Sequence, residues 1–174
     1  MRTWLPYALA ASVGLLVTAS ADDIGKKVTD PVSNKTVTVA KDTPSVIVNA
    51  NAVYFADANS RAAFLKSPET YLTRAKTKLE CPVKGFPSRA NKANRVVVND
   101  QIVYFCCAGC PQEFDKEPNN FLEKVKDPVS GNEFSVSAES PKATYKGNIY
   151  FFENADSKAA FEKEPAKFAK VLIP

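Results

Sequence analysis

The sequence predicts an α+β fold of three tandem small units, each a β-hairpin followed by a helix, packed together as an array. Two observations carry this prediction. One sequence pattern occurs three times, and each copy changes from β-rich to helical sequence at the same place. With 45% hydrophobic and 24% charged residues in 174, the composition is that of a globular protein and not of a disordered chain.

The N-terminal segment is predicted to lie outside the repeats. Residues 1–21 carry a positive charge at Arg2, then an apolar run, then small residues at Ala19 and Ala21, as in a secretory signal peptide. We expect cleavage after Ala21 and a secreted or periplasmic location. The apolar run is short for a membrane span, so no stable span is expected after removal of the signal. An uncleaved anchor is the alternative.

Three copies of one pattern follow. Each opens with "DPVSNKTV", "CPVKGFPS" or "DPVSGNEF" and continues to "VYFADANSRAAFLKSPETYL", "VYFCCAGCPQEFDKEPNNFL" or "YFFENADSKAAFEKEPAKFA". The long segments align without a gap. The alignment predicts units at residues 22–76, 77–123 and 124–174.

Each unit is predicted to form a hairpin and then a short helix. Hairpin-turn residues separate two apolar runs in every copy, at Asn49-Ala50-Asn51, Asn99-Asp100 and Lys146-Gly147-Asn148. The predicted helices run from Ser60 to about Lys66, from Cys110 to Lys116 and from Ser157 to Lys163, each ending before a proline. The matching Phe64, Phe114 and Phe161 are predicted core residues. Because a unit of roughly 50 residues is marginal alone, we expect the units to pack against one another.

All four cysteines lie in the middle unit, at Cys81, Cys106, Cys107 and Cys110. Cys81 stands in the opening turn, where the other units have aspartate, and the other three stand between strand and helix. The chain has no histidine, and its single methionine is the first residue. A transition-metal site must therefore use thiolates, carboxylates or backbone oxygens. The lack of histidine also argues against Ser-His-Asp hydrolysis and common acid–base catalysis, so no enzymatic activity is predicted.

The spacing of the cysteines predicts a site for one metal ion. Cys110 can share an ion with Cys106 or with Cys107, but adjacent side chains diverge, so both are not expected to join easily. We expect three thiolates, from Cys81, Cys110 and one of the adjacent pair, with the fourth position open or filled by the remaining cysteine. All-sulfur ligation suits Zn²⁺ or Cu(I), and both metals remain candidates.

The start of each helix bears on thiol chemistry. Asp57 and Asn154 are predicted N-cap residues, and Cys107 occupies the same place in the middle unit, with Cys110 at N3. The positive end of the helix dipole would then lower the pKa of these thiols. A cap one or two residues later, at Asn59 or Asp156 in the outer units, is the alternative.

At these residues the chain resembles the YHS domain and the related TRASH domain. The matching segments are "CPVKGF" with "VYFCCAGCPQEFDKEPNNFL" and "DPVSGNEF" with "YFFENADSKAAFEKEPAKF", and the first unit matches less fully. The resemblance implies a treble-clef-like fold and heavy-metal binding in sensing, trafficking or resistance. It also implies that Cys106 and Cys110 are the downstream ligand pair. The family's opening cysteine falls at Lys84, whereas this chain has Cys81.

Two other interpretations of the cysteines stay open. Four cysteines in a secreted protein can form disulfides, which would make the chain a stapled structural or interaction module. Cys107-Ala108-Gly109-Cys110 is also a C-x-x-C pattern, which would make the chain a thiol redox protein, although the surrounding thioredoxin-like βαβ pattern is missing. The net charge of +4 is spread along the chain, so no nucleic-acid partner is expected. The predicted partners are a metal ion and a second secreted or periplasmic protein.

Overall fold

The same order of secondary-structure elements occurs three times along the chain. The computed structural model describes residues 21–122, 124–171 and 173, and within them each copy contains a short hairpin, a longer hairpin and a helix. The predicted mixed α+β class is confirmed. Of the predicted signal peptide, only Ala21 belongs to the described residues, where it begins a 3-10 turn at Ala21–Asp23.

Each copy opens with a short hairpin that forms a two-stranded sheet of its own. These hairpins pair β1 (Lys27–Thr29) with β2 (Thr36–Thr38), β5 (Leu79–Glu80) with β6 (Pro87–Ser88), and β9 (Val125–Lys126) with β10 (Glu133–Phe134). The longer hairpins pair β3 (Ser45–Val48) with β4 (Asn51–Tyr54), β7 (Arg95–Val98) with β8 (Gln101–Tyr104), and β11 (Lys142–Tyr145) with β12 (Asn148–Phe151). The described helices are α1 (Ala58–Lys66), α2 (Pro68–Arg74), α3 (Cys110–Lys116), α4 (Ala155–Lys163) and α5 (Pro165–Phe168), with further 3-10 turns at Lys92–Asn94 and Pro118–Asn120.

The three longer hairpins join in one six-stranded sheet. Its strand order in the described chain is β11-β12-β7-β8-β3-β4. Strands within a hairpin are antiparallel, whereas neighbouring hairpins meet through the parallel pairs β12–β7 and β3–β8. The hairpin of the cysteine-bearing copy therefore lies in the centre of the sheet, between the hairpins of the two other copies.

A tight turn closes each longer hairpin at the predicted place. Its two central residues have positive φ, as in a type I′ turn, with values of 45° and 62° at Asn49 and Ala50 and of 43° and 64° at Asn99 and Asp100. Asparagine tolerates this backbone conformation better than most residues. Asn49 and Asn99 thus have the same backbone conformation at the same place in consecutive copies.

The helices of the outer copies begin at the predicted caps. The Asp57 Oδ1 atom accepts a hydrogen bond of 2.8 Å from the Ser60 N–H group, and Asn154 accepts one of 2.8 Å from Ser157. These bonds satisfy an N–H group that lacks a partner within the helix. α1 and α4 consequently begin two residues before the predicted starts, and both cap predictions are confirmed.

The predicted helix phenylalanines form the centre of each core. Phe64, Phe114 and Phe161 are all buried, and each ring packs against the second aromatic residue of its own hairpin. The centroid distances are 5.0 Å to Phe55, 5.5 Å to Phe105 and 5.2 Å to Phe152. Burying one such side chain stabilises a fold by about 1.5–3 kcal/mol, so these contacts anchor each helix to its hairpin.

The middle hairpin belongs to two cores at once. Along β8, Ile102 and Tyr104 pack in the cluster that contains Phe64, whereas Val103 and the following Phe105 pack in the cluster around Phe114. Alternate residues of a strand face opposite sides of a sheet, which accounts for this division. The middle copy therefore shares its sheet and one of its cores with the first copy.

None of the helices in the described part of the chain has the length and apolar character that crossing a membrane requires.

Candidate metal centre

Two segments of the middle unit carry the four cysteines. Cys81 follows β5 and begins the opening turn, while Cys106 and Cys107 follow β8 and Cys110 is the first residue of α3. The opening turn closes on its cysteine, because the Gly85 N–H group donates a 2.8 Å hydrogen bond to the Cys81 carbonyl. The fold thus brings one cysteine from the turn to three from the junction between strand and helix.

Three of the thiols converge on one point. The Sγ atoms of Cys81, Cys106 and Cys110 lie within 4.8 Å of one another, and the Cys106 and Cys110 Sγ atoms are 3.7 Å apart. Zinc–sulfur bonds of about 2.3 Å place two sulfurs of a tetrahedral site roughly 3.8 Å apart. These three cysteines can therefore hold one metal ion without large rearrangement. Among the described residues, no other group of His, Cys, Asp or Glu side chains meets the same distance criterion.

Cys107 lies beside this group. Its Sγ atom is 3.3 Å from that of Cys110, but it is not among the three sulfurs that are mutually within 4.8 Å. The spacing of the cysteines did not decide between Cys106 and Cys107. In the structure, Cys106 is the one whose sulfur lies with those of Cys81 and Cys110. Cys106 and Cys107 are half-buried, whereas Cys81 and Cys110 are buried, so solvent reaches the group from the side of the adjacent pair.

Main-chain hydrogen bonds favour the thiolate form of Cys81. Burial raises the pKa of Cys81, but hydrogen bonds from the N–H groups of Cys106, Lys84 and Val83, together with one from the Cys106 thiol, outweigh burial and hold that pKa below its ordinary value. We call the three N–H groups the anion cradle. One of them, from Cys106, belongs to the junction, so a hydrogen bond already links the two cysteine-bearing segments.

The thiols at the junction differ from one another. A hydrogen bond from the Cys110 thiol, followed by bonds from the Gly109 and Cys110 N–H groups, lowers the pKa of Cys107 to about 7. Burial, followed by the bond to Cys107, raises the pKa of Cys110 to about 12. Burial also raises the pKa of Cys106. Cys107 therefore has a lowered pKa chiefly through the Cys110 thiol, and the expected lowering at Cys110 is wrong because burial raises the pKa of Cys110. A bound cation would favour the thiolate form of all its ligands.

The helix of the middle unit spans Cys110–Lys116, the predicted range, but Cys107 does not cap it. α3 starts at Cys110, and its N-cap is Gly109, so the prediction of Cys107 as cap and Cys110 as N3 is wrong. The sulfur of Cys107 is a weaker acceptor than the oxygen of Asp57 and does not hold a full helical turn here. Cys107 nevertheless accepts a hydrogen bond from the Cys110 N–H group, as Asp57 does from Ser60.

The outer units build the same cradle around a carboxylate. Buried Asp30 accepts hydrogen bonds from the Val32 N–H group at Oδ1, 2.7 Å, and from the Ala56 N–H group at Oδ2, 2.9 Å. Asp127 accepts the corresponding pair at 2.8 and 3.0 Å. These contacts confirm the prediction that both aspartates form turns. The thiol group is confined to the middle unit, because the chain has no further cysteine.

The sequence indicated the cysteines but not the groups that hold them. The donors at Val83 and Lys84 are main-chain N–H groups, which no residue pattern specifies. Comparisons with known proteins add no assignment: no protein-family model, no curated protein and no solved structure matches the chain. The interpretation of the centre therefore rests on its own geometry.

Proposed function

We propose that this chain is a secreted or periplasmic heavy-metal-binding protein that holds one Zn²⁺ or Cu(I) ion at Cys81, Cys106 and Cys110. The observation that carries the proposal is the convergence of three Sγ atoms within 4.8 Å of one another. Thiolates are the ligands that select Zn²⁺, Cu(I) and similar soft ions. Cys107, with its Sγ atom 3.3 Å from that of Cys110, is a fourth thiol at the edge of the site.

The exposure of the thiols favours an ion that is exchanged. Structural zinc sites are closed by four protein ligands, whereas three ligands leave a position for an incoming group. Here two ligands are buried, and the half-buried Cys106 and Cys107 face the accessible side. A second secreted or periplasmic protein with thiol ligands could reach the ion there. This arrangement suits metal trafficking or resistance, a binding role with no enzymatic step.

We also propose that the chain consists of three units like the YHS and TRASH domains, each with a treble-clef-like fold. The recurrence of the same element order supports this proposal, as does the anion cradle that recurs in each unit. The proposed boundaries are residues 22–76, 77–123 and 124–174, after a signal peptide at residues 1–21. Only the middle unit is proposed to bind metal, and its opening ligand is Cys81 in place of a cysteine at Lys84.

One observation favours a second candidate function. The 3.3 Å between the Sγ atoms of Cys107 and Cys110 is short enough for a disulfide to form with little movement. In an oxidising compartment such a bridge would make the chain a disulfide-stapled structural or interaction module. It would also remove Cys110 from the metal site, so the two functions exclude each other in one molecule.

Zinc titration of the reduced chain tests the proposal. We expect native mass spectrometry to show one Zn²⁺ ion per chain, and Cys81→Ser and Cys110→Ser each to abolish tight binding in competition with a chromophoric chelator. Cys107→Ser is the matched control, because it removes a neighbouring thiol outside the three-sulfur group, and most of the affinity should survive.

Two results would contradict the proposal. One is a fully reduced, folded chain that binds neither Zn²⁺ nor Cu(I). The other is a chain that retains full affinity after Cys81→Ser and Cys110→Ser. A third result would instead favour the disulfide-stapled module. In it, the chain isolated without reductant carries no metal and is lighter by two or four hydrogens, with two or four cysteines no longer free.

A further inference from the structure

The hairpin turn of the first unit reaches into the cysteine-bearing unit. The Asn49 Nδ2 atom donates hydrogen bonds to the carbonyl oxygens of Glu80, at 2.7 Å, and Tyr104, at 2.8 Å. Its Oδ1 atom accepts a 2.8 Å bond from the Tyr104 N–H group. Both Nδ2 protons and the oxygen of this one amide are therefore used on main-chain groups of the next unit.

The two partners of Asn49 belong to the two segments that carry the metal ligands. Glu80 directly precedes Cys81, and Tyr104 is two residues before Cys106. The amide of Asn49 thus bridges the opening turn and the end of β8 from outside the unit. Within the unit, the Cys106 N–H group makes a further link between these segments by its hydrogen bond to Cys81.

The next turn repeats this contact where there is no cysteine. Asn99 donates to the carbonyl oxygens of Lys126, at 2.9 Å, and Phe151, at 2.8 Å, and accepts from the Phe151 N–H group at 2.8 Å. The segments that Asn99 joins lead to Asp127 and Glu153. Asn99 therefore makes the same three bonds as Asn49, with the same turn backbone, and differs in what it aligns.

We propose that Asn49 is a positioning residue for the metal centre, which fixes the separation of Cys81 and Cys106 before an ion binds. This inference rests on the proposed function and gives the cysteine-free first unit a part in it. Groups that orient metal ligands raise affinity because the protein need not order its ligands at the moment of binding. Without the amide, the two segments are joined to each other through the middle unit alone, and the sulfurs sample wider separations.

The test compares Asn49→Gly with Asn99→Gly in the full chain under reducing conditions. Glycine accepts the positive φ of both turns, 45° and 43°, so each change removes the amide without backbone strain. Both variants lose three equivalent hydrogen bonds and should show similar falls in Tm. For Zn²⁺, measured against a chromophoric chelator, we expect Asn49→Gly to weaken binding by about tenfold. Asn99→Gly should leave the affinity unchanged, and only Asn49→Gly should alter the thiolate-to-Co²⁺ charge-transfer bands.

A second measurement follows the two sulfurs without a metal. In a Cys107→Ser/Cys110→Ser chain, diamide can only join Cys81 to Cys106, accepting two electrons and two protons as the disulfide forms. Asn49→Gly should slow this reaction, and Asn99→Gly should not. This rate decides the positioning role even if the wild-type chain binds no metal, an outcome that would refute the proposed function alone.

Two results would overturn the positioning role. Equal losses of Zn²⁺ affinity in both glycine variants would show a general effect of destabilisation. Unchanged affinity and an unchanged cross-linking rate in Asn49→Gly would show that the unit aligns its cysteines without the first unit.

Discussion

Cys81 and Asp30 occupy the same hydrogen-bonded position in two copies of one structural pattern. The Asp30 carboxylate accepts bonds from the N–H groups of Val32, Ser33 and Ala56, and the Cys81 sulfur accepts bonds from the equivalent groups of Val83, Lys84 and Cys106. The anion cradle therefore accepts either a carboxylate or a thiolate. What distinguishes the middle copy is the pair of further sulfurs near Cys81.

Replacing the Cys81 thiolate by a carboxylate should weaken metal binding without changing the stability of the metal-free chain. Cys81→Asp should leave the metal-free chain as stable as wild type, because a carboxylate fills the cradle as Asp30 does. It should weaken Zn²⁺ binding by at least about tenfold, since the new oxygens are occupied by N–H groups. Cys81→Ala should cost about 1–3 kcal/mol, because the three N–H groups of the anion cradle lose their acceptor. Urea unfolding with a chelator present measures the first effect, and zinc competition the second.

Cys81→Asp and Cys81→Ala together test whether the cradle holds an anion and whether the Cys81 sulfur is a ligand. If Cys81→Asp unfolds as easily as Cys81→Ala, the cradle does not hold an anion in the middle unit. If Cys81→Asp binds Zn²⁺ as tightly as wild type, the sulfur of Cys81 is not a ligand.

The first unit is expected to accept the same metal site as the middle unit. Asp30, Ala56 and Ser60 stand at the positions of Cys81, Cys106 and Cys110, and Asp30 and Ala56 already share a hydrogen bond of 2.9 Å. The triple variant Asp30→Cys/Ala56→Cys/Ser60→Cys should bind two Zn²⁺ ions per chain, counted by native mass spectrometry under reducing conditions.

The control for this transfer keeps Asp30 and changes only the other two positions. That double variant should bind the second ion far more weakly, because the cradle still holds a carboxylate. A folded triple variant that binds one ion would mean that the middle unit has features for metal binding beyond the three aligned sulfurs.

Asp30 should make stability depend on pH in the acid range. Burial raises the pKa of Asp30, but hydrogen bonds from the N–H groups of Ala56, Val32 and Ser33, and from the Ser33 hydroxyl, hold that pKa below its ordinary value. A carboxylate with a lowered folded-state pKa stabilises the fold at neutral pH, and this contribution is lost as the pH falls below about 4.

Asp30→Asn tests this dependence. The change should cost about 2 kcal/mol at pH 7, because an NH₂ group would face the N–H group of Ala56. The difference in unfolding free energy from wild type should shrink below about pH 4, because there the unfolded wild-type chain takes up a proton that folded Asp30 resists. A difference that is constant from pH 7 to pH 3 would show that the charge of Asp30 does not contribute.

Oxidation should join Cys107 to Cys110. Their Sγ atoms, at 3.3 Å, are closer than those of Cys106 and Cys110, at 3.7 Å. Diamide treatment of the metal-free chain should remove two hydrogens, form this bridge first and abolish Zn²⁺ binding, because Cys110 is consumed. Peptide mapping identifies the bridge. In Cys107→Ser, the same treatment should abolish zinc binding more slowly. A first bridge to Cys81 would contradict the predicted order.

The parts that sequence could predict are local. The caps at Asp57 and Asn154, the turns at Asn49 and Asn99 and the buried Phe114 follow from interactions between residues close in the chain. The four cysteines stood out because three copies of one pattern could be compared. The same comparison showed that all four cysteines belong to one unit.

The remaining features depend on contacts distant in sequence. Asn49 bonds to Tyr104, 55 residues away, and Asp100 accepts hydrogen bonds of 3.1 and 2.9 Å from the N–H groups of Lys170 and Val171. No residue pattern links such positions. The selection of Cys106 over Cys107 could not be predicted either, because it depends on which of the two sulfurs faces Cys81, a residue of another segment.

X-ray absorption at the zinc edge of the reduced, Zn²⁺-loaded Cys107→Ser chain tests the central claim most directly. Three thiolates around one ion predict three sulfur neighbours at about 2.3 Å, and two around the zinc that the further variant Cys81→Ser still binds weakly at the high concentrations of this measurement. A first shell of nitrogen and oxygen alone at about 2.0–2.1 Å, or a sulfur count that Cys81→Ser leaves unchanged, would contradict the claim that Cys81, Cys106 and Cys110 bind one ion.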